Sequence, residues 1–251
     1  KKILVTGACG FIGSHICDVL IENGYDVIAF DKYNSNNDWG WLEKSKYLKN
    51  IEIILGDIRD YDSVSKAVKL CNSVFHLAAL IGIPYSYISP LAYIRTNIEG
   101  TYNILESAKK YNIDQILVTS TSETYGTAQY VPIDEFHPSV GQSPYSASKA
   151  SCDIIGDSYY HTYKFPIITT NCCNNYGPNQ FKEKLIPKII FNYLNKKKIP
   201  IYGSGKNIRE WIHVDDHNTA IIKIINKSKV GEKYCIGSGD EISNLNIAKK
   251  I

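Results

Sequence analysis

Tyr145 and Lys149 stand four residues apart in QSPYSASKAS, residues 142–151, and on a helix that spacing puts both side chains on one face. An ammonium beside a phenol favours tyrosinate and draws the phenol down from its ordinary pKa of about 10, so the pair could serve as a general base. On its own such a pair is more often two solvated side chains. Upstream, where the apolar run QILVTSTS ends, Thr121 and Glu123 are two residues apart, which in an extended chain aims both to the same side. A hydroxyl and a carboxylate placed so could hold a substrate and move a proton. The plainer alternative is a strand-end turn residue beside a surface charge.

A second group of residues has phosphate chemistry. TGACGFIGSH sets Gly7, Gly10 and Gly13 between the first strand signal and the first helix signal. Glycines in that place allow a tight turn, bring backbone amides to a pyrophosphate at the helix N-terminus, and let helix and strand pack closely. Asp31 closes the next strand, where a dinucleotide fold carries the acid that grips the adenosine ribose. A carboxylate there repels a 2′-phosphate and favours NAD over NADP, with Lys32 beside it softening the choice. Asp57, in LGDIRD, either meets the adenine together with Ile58 or caps the helix that follows.

The elements that must position these groups alternate along the chain. KKILVTG, YDVIAFD, IEIILGD, SVFHLAA, QILVTSTS and FPIITTNCC read as strands. Helical spacing fills 11–24, 61–70, 91–111 and a segment from 144. That alternation predicts an α/β fold, a doubly wound parallel sheet of Rossmann type, binding its ligand beyond the carboxyl ends of the strands. After residue 173 the rhythm loosens into NNYGPNQFKEKLIPKII, a short strand IPIYG, then IREWIHVDD and another helix. The chain is therefore divided into a dinucleotide-binding domain, 1–173, and a smaller lobe, 174–251. NLNIAKKI begins as an amphipathic helix and stops without a cap, so a continuation beyond 251 is expected.

Composition narrows the function classes. The 251 residues are 44% hydrophobic and 21% charged with a net charge of +3, enough apolar material for a large core and no basic stripe for a nucleic acid. The apolar runs are too short and interrupted to span a bilayer, and the first residues lack the pattern of a signal peptide. A cytoplasmic protein is expected, not bound to membrane. Its 7 cysteines, without C-x-x-C spacing, read as free buried thiols. The adjacent Cys172 and Cys173 carry no special weight, since neighbours on a strand face opposite ways. His76, His213 and His217 lack a ligand set and read as structural, so no metal is expected. Trp39 and Trp41 read as a packing cluster.

With these residues in hand, the chain resembles the extended short-chain dehydrogenase/reductase family, and within it the enzymes that remodel nucleotide-activated sugars. TGACGFIGSH, HLAA, TSTSETYG, YSASK, NNYGP and REWIHVDD carry the resemblance, in that order along almost the whole chain. YNSNNDWGWL and ALIGIPYSY look like the 4,6-dehydratases of nucleotide-linked N-acetylglucosamine. NNYGPNQFKEKLIP is closer to dTDP-glucose 4,6-dehydratases.

The resemblance implies an NAD site made by Gly7, Gly10, Phe11, Ile12, Gly13, Asp31, Asp57, Ile58, Leu77, Ala78, Ala79, Tyr145 and Lys149. It implies catalysis by Thr121, Glu123, Tyr145 and Lys149, with Thr121 and Tyr145 at the sugar's O4 and Glu123 facing C5. Ser122, Asn174, Lys184 and Arg209 would hold the nucleotide-sugar. Many dTDP-glucose dehydratases carry aspartate where Ser122 stands, whereas GDP-mannose dehydratases and UDP-glucuronate decarboxylases share TSE. Serine is too weak an acid to release a hydroxyl alone, so Glu123 or a relayed water must assist. The expected reaction is 4,6-dehydration to a 4-keto-6-deoxy sugar. A UDP-sugar 4-epimerase or UDP-glucuronate decarboxylase on the same scaffold is the alternative, and a non-catalytic dinucleotide-binding protein a more distant one. The long tyrosine-bearing helices 91–111 and 144–164 imply a homodimer built on a four-helix bundle.

Overall fold

The computed structural model describes residues 1–36, 38–201 and 203–251. The first five strands are β1 (Lys2–Thr6), β2 (Asp26–Asp31), β3 (Ile51–Leu55), β4 (Ser73–His76) and β5 (Gln115–Thr121). Between them run α1 (Phe11–Glu22), α2 (Tyr61–Val68), α3 (Ile83–Ile88), α4 (Pro90–Tyr93) and α5 (Gly100–Lys110). Then come α6 (Pro144–Tyr163), β6 (Ile167–Cys172), β7 (Asn174–Tyr176), α7 (Leu185–Leu194), β8 (Ile208–His213) and α8 (Val214–Lys227). The chain closes with β9 (Lys233–Ile236), β10 (Glu241–Ser243) and α9 (Asn244–Lys250).

Seven strands form one sheet in the order β3-β2-β1-β4-β5-β6-β9, and each neighbouring pair is parallel. The order reverses between β1 and β4, which makes the ends of those strands the topological switch point. Strands covered on both faces must be apolar along their length, and β4 and β6 are buried at every position. One face packs Leu4, Ile28, Val74, Ile104 and Ile116 with α2, α5 and α6. The other packs Val5, Ile16, Leu20, Ala29 and Phe75 with α1 and α8.

The smaller sheet, β10-β8-β7, lies beyond β6. A clean division at residue 173 does not survive. β9 returns to pair in parallel with β6, and Ile221 on α8 joins the core beside Ile16 and Leu20, because the edge of β6 and the outer face of α1 would otherwise be left uncovered. The lobe is thus built from β7, α7, β8, β10 and α9. The strand expected at IPIYG is not formed by residues 199–201, and its Tyr202 lies outside the described residues.

The helix expected over 91–111 is interrupted. A π-helical turn, Ile94–Glu99, joins α4 to α5. It carries Asn97, whose amide exchanges hydrogen bonds with the backbone of Leu80 and donates to Ser148 Oγ at 2.9 Å. Ser148 Oγ in turn donates to the carbonyl of Tyr145 at 2.7 Å, so the irregular turn fixes the start of α6.

Candidate active site

A cavity of about 1050 Å³ opens along the carboxyl ends of the large sheet and runs under the smaller lobe. That is at the upper end of the range for one small ligand, and its two ends differ in chemistry.

At one end lies the glycine loop. Gly7 has φ +71°, and a Cβ there would meet the backbone nitrogen of Ala78 at 2.9 Å. A Cβ on Gly13 would sit 2.1 Å from the carbonyl oxygen of Gly7, so only glycine lets α1 approach the loop. Gly10 caps α1 without any side chain, which leaves the first amides of the helix pointing into the cavity alongside Phe11 and Ile12. Asp31 binds the loop to the second strand: its Oδ2 accepts from Cys9 N at 2.7 Å and its Oδ1 from Lys32 N at 2.7 Å. Both oxygens retain lone pairs toward the cavity.

Asp57 and Ile58 line the wall beside Asp31. Asp60, not Asp57, caps α2, since its side chain accepts from Asp62 N. Asp57 is engaged by Arg59, with Nη2 at 2.5 Å, and Lys32 Nζ lies 3.9 Å away. The guanidinium holds this carboxyl below the usual range, with Lys32 adding to it. Leu77, Ala78 and Ala79 complete the wall. An uncapped helix start, a glycine cradle and an acid beyond the second strand fit an adenine dinucleotide.

The reactive groups meet at the other end of β5. Thr121, Glu123, Tyr145 and Lys149 all line the cavity. β5 stops at Thr121, whose Oγ1 accepts from Glu123 N at 3.3 Å and starts a 3-10 turn, Ser122–Tyr125. Thr121 and Glu123 face the cavity across that turn, while Ser122 between them does not line it. Ser122 opens the 3-10 turn and lies outside the lining of the cavity, next to Thr121 and Glu123, which are part of it.

α6 begins with a capping box between Ser143 and Ser146 and with Pro144 at its first position, which fixes where Tyr145 enters the site. Lys149 is 5% exposed, and its Nζ donates to the carbonyl of Thr119 at 2.8 Å. The phenol of Tyr145 runs against the sequence expectation. Burial pushes it above its ordinary value, Cys172 and Glu123 add to the rise, and a hydrogen bond with Thr121 opposes it. The carbonyl of Thr119 claims the ammonium that was expected to lower the phenol.

Asn174, Lys184 and Arg209 line the far part of the cavity, where the smaller lobe closes over it. Asn174 Nδ2 donates to the carbonyl of Glu210 at 3.2 Å, tying β7 to β8. Arg209 forms no ion pair with any described carboxylate; Glu210 instead accepts from Gly239 N at 2.6 Å. Its Nη1 donates to the carbonyl of Ile208 at 2.8 Å, and a guanidinium without a carboxylate partner at the cavity wall suits a diphosphate.

Sequence reasoning missed Cys172, Cys173 and Thr119. Cys172 and Cys173 both line the cavity, because β6 ends between them and the alternation used to dismiss them stops there. Burial pushes the Cys172 thiol up to about 11, with Lys149 pulling it the other way. Thr119 gave no signal because it contributes a carbonyl. His76 bridges Thr6 Oγ1 at 2.8 Å and Thr101 Oγ1 at 3.0 Å. Thr6 Oγ1 also accepts from Leu77 N and Ala78 N, so its own proton goes to His76 Nδ1 and fixes the neutral Nε2–H form. Burial, reinforced by Lys149, lowers His76 to about 3. Trp39 packs against the core around α1, and Trp41 N donates to the carbonyl of Cys9, so this segment buttresses the glycine loop.

The family model described as GDP-mannose 4,6 dehydratase matches residues 4–251. A probable dTDP-glucose 4,6-dehydratase of Sinorhizobium fredii is 37% identical over 100% of this chain and 75% of its own length. The crystal structure of a dTDP-glucose 4,6-dehydratase from Streptomyces venezuelae, solved with NAD bound, superposes with a TM-score of 0.93 at 34% identity, covering 100% of this chain and 80% of that one. A UDP-N-acetylglucosamine 4-epimerase of Methanobrevibacter ruminantium reaches 0.90 at 31% identity over 99% and 80% of the two chains. With the glycine cradle and the Thr121, Glu123, Tyr145 and Lys149 cluster in place, the chain belongs to the GDP-mannose 4,6 dehydratase family of extended short-chain dehydrogenase/reductases.

Proposed function

We propose that the protein is an NAD-dependent nucleotide-sugar 4,6-dehydratase that takes a hexose of the dTDP-glucose type to its 4-keto-6-deoxy product. One observation carries this reading. Among the described residues that line the cavity the carboxylates are Asp31, Asp57 and Glu123, and only Glu123 stands with Thr121, Tyr145 and Lys149. A 4-epimerase needs no carboxylate at C5, whereas dehydration needs one; a UDP-glucuronate decarboxylase retains one as well, and the C6 group of the substrate separates it from a dehydratase. The names of the Sinorhizobium and Streptomyces relatives support the dTDP-glucose type of substrate.

NAD, when bound, supplies the acceptor for the C4 hydride and returns that hydride to C6. The chain supplies the proton chemistry. Tyr145 first loses its proton to solvent, a loss that burial opposes and the hydrogen bond with Thr121 favours. Its phenolate then takes the proton of the sugar's 4-hydroxyl while Thr121 holds O4. The ketone at C4 acidifies the C5 hydrogen, which Glu123 removes. With Ser122 outside the wall, Glu123 hands that proton to the departing C6 hydroxyl, which leaves as water. A solvent proton restores C5 when C6 is reduced. Asn174, Lys184 and Arg209 hold the diphosphate, and Asp31 holds the adenosine ribose.

Two further parts of the reading concern the whole protein. Leu91, Ile94, Tyr102 and Ile154 expose apolar surface on α4, the π turn, α5 and α6, and a second copy of the chain covers them in a homodimer. All seven cysteines are free thiols, which suits the reducing cytoplasm. No helix among the described residues is long and apolar enough to cross a membrane.

The test is incubation with dTDP-glucose, UDP-GlcNAc, GDP-GlcNAc and UDP-glucuronate, followed by mass spectrometry. Loss of one water from dTDP-glucose is expected, with one deuterium at C5 when the reaction runs in D₂O. An unchanged mass with inverted C4, or loss of carbon dioxide from UDP-glucuronate, would replace dehydration by epimerisation or decarboxylation.

A further inference from the structure

α6 carries a third ionisable group in line with Tyr145 and Lys149. Asp153 follows Lys149 by four residues, is 2% exposed, and forms no ion pair with a described cation. Its Oδ2 accepts from Ser120 Oγ at 2.9 Å and from Asn171 Nδ2 at 3.1 Å, while Oδ1 has no hydrogen-bond partner. Burial pushes this carboxyl above its ordinary value, and Ser120, Lys149, Asn171 and Lys233 draw it back. An apolar side chain would fill the place without that desolvation cost.

The partners of Asp153 show what the carboxylate holds. Ser120 lies between Thr119, whose carbonyl takes the Lys149 ammonium, and Thr121, which lines the cavity. Asn171 Nδ2 also reaches the carbonyl of Thr121 at 3.3 Å and Thr124 Oγ1 at 3.2 Å. Thr124 Oγ1 donates back to the Thr121 carbonyl at 2.8 Å. The end of β5, the turn that bears Glu123, and the middle of α6 are therefore joined through one buried carboxylate.

Building on the dehydratase reading, we propose that Asp153 is a positioning residue: it locks the end of β5 and the turn after it, residues 119–124, onto α6 and gives Lys149 its buried counter-charge. It touches neither substrate nor cofactor, and it acts through Ser120, Asn171 and Lys149. The charged and titratable groups around it are Lys149 and Cys152 on α6, Tyr125 in the turn after β5, and Lys233 on β9.

Asp153→Asn keeps the shape and one acceptor oxygen but removes the charge. With the charge gone, Ser120 no longer fastens the neighbouring Thr119 carbonyl in place, and the Lys149 ammonium that this carbonyl holds is freed toward Tyr145, so tyrosinate forms at lower pH. The expected result is a kcat lower by roughly ten- to a hundredfold with KM for the nucleotide-sugar little changed, and a rising limb of the pH profile moved to lower pH. Asp153→Glu restores the charge and should return the limb to its wild-type position while leaving the plateau low. The Tyr145 titration, read as the absorbance difference between each protein and its Tyr145→Phe counterpart, must move the same way and needs no turnover. A lowered kcat with both the limb and the titration unmoved would reduce Asp153 to a packing residue and overturn the proposal, as would unchanged kinetics. Wild-type turnover is measured alongside; if it is absent on every nucleotide-sugar, the dehydratase reading fails while the titration still decides the role of Asp153.

Discussion

Asp31 spends both carboxylate oxygens on backbone amides of its own chain, from Cys9 and Lys32, and still faces the cavity. Its charge repels a 2′-phosphate, while Asp57 occupies the two cations, Lys32 and Arg59, that could attract one. Asp31→Asn should therefore raise affinity for NADP relative to NAD only modestly. Adding Asp57→Asn, which releases both cations, should raise the ratio by a further factor of roughly ten. Binding of the two dinucleotides to the cofactor-stripped protein, followed by calorimetry, checks both steps. Tyr145→Phe removes the group that accepts the O4 proton, so kcat should fall by about 10²–10⁴-fold with the fold intact. Steady-state kinetics and a melting curve measured together separate that loss from unfolding. Tyr145 and Lys149 were legible as a pair, but the sign of the effect on the phenol was not. Burial and a competing backbone acceptor at Thr119 belong to the fold and leave no mark in YSASK.

The junction between β1, α1 and β4 bears most of the cofactor site. Gly13→Ala would drive a methyl into the Gly7 carbonyl, which must displace α1 from the loop. A cost of about 1–3 kcal/mol and loss of copurifying NAD are expected, whereas Gly24→Ala, with nothing within 4 Å, should only pay for its positive φ of +80°. Thermal melts and released-cofactor assays distinguish the two. His76 closes the same junction from within. Its folded pKa is about 3 against about 6.5 unfolded, so the native state disfavours the charged form. Its stabilising contribution is complete above pH 6.5 and is lost as pH falls from there toward 3, by about 1.4 kcal/mol per pH unit. In urea titrations at pH 7 and pH 4.5, His76→Asn should be the less stable protein at pH 7 and should lose less on acidification than wild type.

Over the whole molecule, the apolar side chains left exposed on the α4–α5 segment and α6 form the surface assigned to the dimer. Leu91→Glu with Ile154→Glu places charges there without touching the cavity. Light scattering after size exclusion should show a dimer for wild type and a monomer for the double variant. The interleaved architecture has a consequence as well. β9 is the outer strand of the large sheet yet arrives after most of the smaller lobe, so the lobe is tethered at three places, between β6 and β7, between β8 and α8, and between β9 and β10. Opening of the cavity is limited to what those three tethers allow.

The chain alone pointed to the parallel sheet, the glycine cradle, Asp31 and the four residues, Thr121, Glu123, Tyr145 and Lys149, that line one cavity. Each of these rests on local spacing: alternating periodicities, glycines between a strand and a helix, and side chains two or four residues apart. Tertiary structure decided the rest. It returned β9 to the large sheet, brought Cys172 and Cys173 into the cavity wall, and joined Asp153 to Ser120 and Asn171. These depend on which strand edge is left unpaired and how deeply a charge is buried, and both are fixed only when segments distant in sequence meet.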